Sequence, residues 1–278
     1  MKNKQVLALL GMVLVVGLLV FVAPSQAEVY IEAYLGGVQG ANAGMDVSNT
    51  IITPPREFTQ HVAGQLDPAV LGGLKIGTWF VKEGFLGYNY PDWMKYFGFY
   101  LDFSYHRLNF RNQSGPTTYN VIPANSDTMS NLFRSEGTAA TLAFMFAGRY
   151  GFLPDSEVPF GRLQPYVAVG PAILFASQEP AFNLFDDRNA NPLIDIIEPG
   201  KQSGAFICLA VEAGLRWMAL KNVSIDLSFK YRYAEPSFTY HYIDFGFGAA
   251  AHPGAPRTFT LDPTLHLFGG QLGVAYHF

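Results

Sequence analysis

LHLFGGQLGVAYHF, residues Leu265–Phe278, is the stretch that decides the fold. One set of alternate positions is Phe268, Gly270, Leu272, Val274, Tyr276 and Phe278; the other holds Gly269, Gln271, Gly273, Ala275 and His277. Successive side chains of a strand point to opposite faces. A period of two, with one apolar and aromatic row and one small or polar row, therefore marks a strand between two different solvents. A strand of this kind ending on an aromatic suits a barrel whose last strand closes on its first.

Seven more segments carry the same alternation. The first opens at Val29, with Val29, Ile31, Ala33 and Leu35 against Tyr30, Glu32, Tyr34 and Gly36. The others span Val70–Val81, Tyr96–Leu108, Gly137–Tyr150, Leu163–Ala176, Ala205–Met218 and Val223–Tyr233. The clearest are the third, where Phe97, Phe99, Leu101, Phe103 and Tyr105 oppose Gly98, Tyr100, Asp102, Ser104 and His106, and the seventh, where Val223, Ile225, Leu227, Phe229, Tyr231 and Tyr233 oppose Ser224, Asp226, Ser228, Lys230 and Arg232. Pro171 lacks a ladder donor and predicts a bulge in the fifth. The connections alternate long and short. The long ones are residues 39–69, 109–136, 177–204 and 235–264, read as polar loops. Long extracellular loops, short periplasmic turns and an even strand number describe an all-β, eight-stranded antiparallel up-and-down transmembrane β-barrel.

Composition agrees. The 278 residues are 49% hydrophobic, 15% aromatic and 14% charged, more apolar than a soluble surface requires. Yet beyond the amino terminus no apolar run is long enough for a membrane helix. The amino terminus reads as a cleavable signal peptide, residues 1–27: Lys2 and Lys4, an apolar stretch from Val6 to Val22, then Ser25 and Ala27 at the −3 and −1 places. An uncleaved anchor helix is the alternative. The barrel domain is then residues 28–278. Cleavage leaves 16 basic against 22 acidic residues with no basic cluster, which excludes nucleic acid as a partner. Cys208, the single cysteine, lies within a strand and reads as a small buried residue, with no intramolecular disulfide and no thiolate metal cluster possible.

On this phasing the inward rows contribute Glu32, Lys75, Asp102, His106, Arg149, Glu212, Arg216, Asp226, Lys230 and Arg232. An eight-stranded barrel is just wide enough for side chains to fill, and buried charges need partners. The expectation is an ion-pair plug, with a continuous pore as the competing reading. Glu212 is expected to hold Arg216 or a base on an adjacent strand. Trp79, Tyr150, Trp217, Tyr276 and Phe278 are expected to frame the periplasmic edge of the lipid band, and Tyr105, Phe175, Tyr231, Tyr233 and Phe268 the other edge.

The signal segment, the opening VYIEAYLGG (Val29–Gly37), the segment GRLQPYVAVG (Gly161–Gly170) and the final GVAYHF (Gly273–Phe278) together resemble the outer-membrane β-barrel domain family, the group of small OmpA-, OmpX- and OmpW-like barrels. The resemblance covers the mature chain and is specific for architecture. It implies a cell outer-membrane location, contact with outer-membrane lipid and lipopolysaccharide, and a terminal aromatic, Phe278 with Tyr276 beside it, read by the barrel-assembly machinery.

Activity is less legible. The sequence has no phosphate loop, no Gly-x-Ser-x-Gly elbow and no His-Glu-x-x-His, and no histidine is followed two places on by serine as in the deacylase type of lipid A-modifying barrel. A lipid A oxidase-type barrel is similar in layout. His241, Asp244 and His252 are residue types that bind metal or move protons, but solvated loop residues are the preferred reading of all three. No cofactor, catalytic residue or metal ligand is assigned. The leading expectation is a structural or surface-interaction barrel acting through its loops; a conduit for small apolar molecules and a lipid A-modifying enzyme are the alternatives.

Overall fold

The computed structural model describes residues 28–51, 56–81, 90–121, 126–184, 196–243 and 256–278; the expected signal segment, 1–27, lies outside the described residues. In chain order the strands are β1 (Glu28–Gly40), β2 (Met45–Ile51), β3 (Arg56–Val62), β4 (Ala69–Trp79), β5 (Phe97–Arg107), β6 (Phe110–Val121), β7 (Ser126–Arg149), β8 (Leu163–Leu184), β9 (Ile196–Ile197), β10 (Gln202–Leu220), β11 (Val223–Ala234), β12 (Phe238–Ile243), β13 (Pro256–Pro263) and β14 (Leu265–His277). A short 3-10 helix, Asp92–Tyr96, precedes β5.

Eight of these strands close a ring. β1 pairs antiparallel with β4 on one edge and with β14 on the other. The pairs β4–β5, β5–β7, β7–β8, β8–β10, β10–β11 and β11–β14 complete it. Closure removes the free edges that an open sheet would expose. The register runs from Glu28 through Trp79, Gly98, Ala147, Ala168, Glu212, Lys230 and Gly269 and returns to β1 at Val38, so the shear is 10 residues. Eight strands with that stagger tilt within the roughly 35–45° usual for barrels.

The alternation lands as the phasing requires. Glu32, Lys75 and Glu212 are at most 1% exposed, while Leu35, Val167, Leu227 and Leu272 on the other rows are all more than half exposed. In water each such residue would forgo roughly 1.5–3 kcal/mol of burial. A belt of them round a ring whose charges are hidden inside is stable only in lipid. The barrel is a transmembrane β-barrel.

Two expectations fail. The segments 39–69, 109–136, 177–204 and 235–264 are not simple loops: they contain β2, β3, β6, β9, β12, β13 and the upper halves of β7 and β8. β12, β13, β2, β3 and β6 pair in series and join β7, raising a second tier on the barrel. Here the alternation inverts. Phe238, Tyr240, Phe259 and Leu261 are buried, and Thr239, His241 and Thr258 face out. Above the lipid the outer solvent is water, so the apolar row turns inward, and a search for outward apolar rows misses it. Nor does Pro171 make a bulge. Ala143 pairs with Ala172 and Phe146 with Val169, an unchanged register across the proline, and on the other side Pro171 stays opposite Leu209.

The short turn between β7 and β8 holds itself. Gly161 takes a φ of +125°, which a side chain would strain. Asp155 accepts hydrogen bonds from the Val158 amide and the Arg162 guanidinium, which together hold its carboxyl below the usual carboxylate range.

Candidate functional site: the charged lumen

All the expected inward charges meet within the barrel. Lys75, on β4, donates to Glu32 of neighbouring β1 at 2.8 Å and to Glu212 of β10 at 2.7 Å. β4 and β10 stand four strands apart in a ring of eight, so the second bond crosses the full diameter. Glu212 also accepts from Tyr100 at 2.9 Å and Tyr166 at 2.7 Å, and Lys230 lies 3.6 Å from it. Arg216 reaches Glu32 at 3.0 Å and Asp226 at 3.2 Å, with its guanidinium 4.4 Å from the centre of the Tyr30 ring. Lys230 donates to Asp102 at 2.5 Å and to the Tyr34 hydroxyl at 3.1 Å, and Tyr34 in turn donates to Asp102. Arg232 donates to Ser104 at 2.6 Å.

Tyrosines do for the carboxylates what water does outside: they donate hydrogen bonds to charge that has been stripped of solvent. Glycines make room for them. A Cβ on Gly214 would stand 2.5 Å from the Tyr166 ring, and one on Gly73 would stand 2.3 Å from the Tyr34 hydroxyl.

One member was missed. Arg149 clasps Glu28 through two bonds of 2.7 and 2.5 Å, and takes Gln164 at 3.0 Å, its guanidinium lying 4.1 Å from the Trp79 ring and 4.2 Å from Phe160. Glu28 continues the inward row of Tyr30, Glu32 and Tyr34, a signal lost by starting the strand at Val29. With it the lumen holds Glu28, Glu32, Asp102, Glu212 and Asp226 against Lys75, Arg149, Arg216, Lys230 and Arg232, an even balance. His277 lies beside the Glu28–Arg149 pair, with Nδ1 3.6 Å from Glu28 Oε1 and Nε2 2.9 Å from Ser224 Oγ.

Two assignments need correction. Trp79 does not frame the lipid band: it is 2% exposed and points inward over Arg149, as the row of Lys75 and Gly77 demands. Of the two partners expected for Glu212, the base on an adjacent strand is present, Lys230 of β11, but Arg216 is not, its acids being Glu32 and Asp226; Glu212 also takes Lys75 from across the lumen. Cross-lumen contacts depend on closure and leave no trace in local spacing. Tyr150, Trp217, Tyr276 and Phe278 do face outward at one end, and Tyr105, Phe175 and Phe268 toward the other. Tyr231 and Tyr233 cluster there with His266, at ring separations of 6.2 and 5.1 Å. Of the last-segment residues, His241 is exposed beside Thr258, while Asp244 and His252 lie outside the described residues.

No family model matches the sequence. No curated protein matches it either. Among solved structures, the outer membrane protein OprG from Pseudomonas aeruginosa is similar over 91% of this chain and 97% of its own, at 14% identity and a TM-score of 0.43. Ail, the attachment invasion locus protein of Yersinia pestis, is similar over 90% of this chain and 99% of its own, at 14% identity and a TM-score of 0.35. The outer membrane protease OmpT from Escherichia coli is similar over 92% and 98%, at 8% identity and a TM-score of 0.41.

Proposed function

We propose that the protein is an integral outer-membrane barrel with a plugged lumen, and that its role is structural or one of surface interaction, carried by the extracellular tier. The observation that carries this reading is the Lys75–Glu212 bridge: it spans the barrel between two side chains no more than 1% exposed, with tyrosines packed round it. Ion pairs of this kind block water and ions. The work is then left to the part that stands clear of lipid.

Outer-membrane lipid and lipopolysaccharide are the partners of the outer belt, where aromatic rims stand at both ends. The barrel-assembly machinery is the proposed reader of the aromatic pair Tyr276 and Phe278, which face outward with ring centres 5.0 Å apart. Fractionation of cells should place the protein in the outer membrane, with gel mobility that shifts on heating. Recovery from the soluble periplasm would end the proposal. In planar bilayers the purified barrel should give no steady current, and regular large single-channel openings would replace the plug with a pore.

A further inference from the structure

The outward apolar surface does not stop where a lipid band would. Ala140 on β7 stands level with Tyr105 of β5 and Phe175 of β8, its cross-strand neighbours at the rim nearer the second tier. From there the outward row of β7 runs through Phe144 and Phe146 to Tyr150. At roughly 3.3 Å per residue and a tilt of about 40°, that stretch covers about 25 Å along the membrane normal, the full height of the apolar band. The row then continues into the turn. Phe152, bridged to Leu163, is 49% exposed, and Leu153 beside it is 62% exposed. Next to them the 3-10 helix carries Trp93, 61% exposed, against outward-facing Phe97 with ring centres 5.9 Å apart. Tyr96 joins the two turns: it stacks on Tyr150 at 5.8 Å, and Tyr150 lies 5.0 Å from Phe152.

Leu153 is held in this position by its backbone. Its φ is +57°, in the left-handed region, and it precedes Pro154, which favours an extended residue before it. Phe152 and Leu163 exchange backbone bonds of 2.8 and 3.1 Å, and the Leu153 carbonyl accepts from the Arg162 amide at 3.1 Å. The charges of the turn meet one another, Arg162 taking both Asp155 and Glu157. An apolar side chain held outward on a disfavoured backbone has no stabilising role in water, and lipid supplies one. The extension is one-sided. At the opposite rim the same strands turn charged, with Arg107 following Tyr105 on β5 and Glu136 opposite Glu179 on β7 and β8, all exposed. A surface continuous with the lipid-facing belt that passes its edge by about 5 Å matches the headgroup layer, which adds roughly 5–8 Å to each side of the hydrocarbon core.

We propose that the β7–β8 turn and the 3-10 helix form a foot that lies in the phospholipid headgroup layer at the end of the barrel away from the second tier. Phe152, Leu153 and Trp93 are its contacts, and it sets the depth at which β5, β7 and β8 sit. On the outer-membrane reading, on which the proposal rests, that layer belongs to the periplasmic leaflet.

The test is tryptophan fluorescence of the full-length barrel in phosphatidylcholine vesicles brominated either near the headgroup or near the chain ends. Trp79 is buried in the lumen, so Trp217→Phe leaves Trp93 as the surface tryptophan, and Leu153→Trp combined with Trp93→Phe and Trp217→Phe reads the other turn. Each is expected to lose about half its emission to bromine near the headgroup and several-fold less to bromine near the chain ends. Trp217 in a Trp93→Phe variant, together with heat-modifiable mobility, reports insertion. Quenching of Trp217 without quenching at the foot would overturn the proposal and leave the barrel standing: iodide reaching Trp93 would then place the foot in water, and iodide excluded would place it under a second copy. Stronger quenching by bromine near the chain ends would overturn it too. Failure to quench Trp217 as well would remove the membrane reading itself, and the foot with it.

Discussion

Glu212 shows how a single buried carboxylate sorts a plug from a pore. Its charge is met by Lys75 at 2.7 Å, Lys230 at 3.6 Å and the hydroxyls of Tyr100 and Tyr166, all deeply buried. Removing one partner of a buried pair leaves the other charged and unpaired, so Glu212→Ala should lower unfolding stability by about 3–5 kcal/mol. Replacing both ends by apolar residues, Lys75→Met with Glu212→Leu, removes the charges together and should restore most of that loss. Urea unfolding of the parent, single and double variants in one detergent measures both. A single variant as stable as the parent would mean that water already reaches Glu212.

Strands set what the residues can do, and two of them offer direct tests. β10 gives up a side chain at Gly214 so that the Tyr166 ring can lie against it. Gly214→Ala should displace Tyr166 from Glu212 and Asp226 at about 1–3 kcal/mol, the usual penalty for overpacking. A neutral result in urea unfolding would show that the tyrosine is not held in place by that gap. β14 bears Phe278, whose amide donates to the Val29 carbonyl at 2.9 Å. An acid near the membrane interface costs only about 0–1 kcal/mol, so Phe278→Asp should refold almost normally in detergent. In cells its folded yield should drop several-fold, because what is lost there is recognition. Equal behaviour in both settings would remove the assembly role.

These elements also show what the sequence carries. The rows of Phe97–Tyr105 and Val223–Tyr233 were readable because lipid on one side and a charged lumen on the other force opposite chemistry onto alternate residues. The ten polar residues that rule turns inward, from Glu32 to Arg232, are all buried. It could not pair them. Lys75 and Glu212 are 137 residues apart and meet only because the ring closes with a shear of 10. Nor could it see β12 and β13, whose apolar row faces inward as in a water-soluble sheet.

At the scale of the whole molecule the two tiers obey different solvents, and this predicts how they come apart. The transmembrane ring closes through β1 and β14 without using β2 or β3, which pair only with β13, with each other and with β6 above it. Its charges are likewise satisfied below the tier, by partners on ring strands alone. Replacing residues 46–61 by a short Gly-Ser linker should therefore leave a barrel that inserts and still shifts mobility on heating. The upper tier should loosen, because β13 and β6 lose the strands that join them, and protease added outside cells should cut within residues 109–136 and 235–264. Phe110, Phe133, Tyr240 and Phe259 would then lose part of the cover that keeps them buried, and the temperature at which heat modification begins should fall by several degrees. A variant that no longer folds at all would show that the tier is part of the nucleus of the barrel and not a structure built upon it.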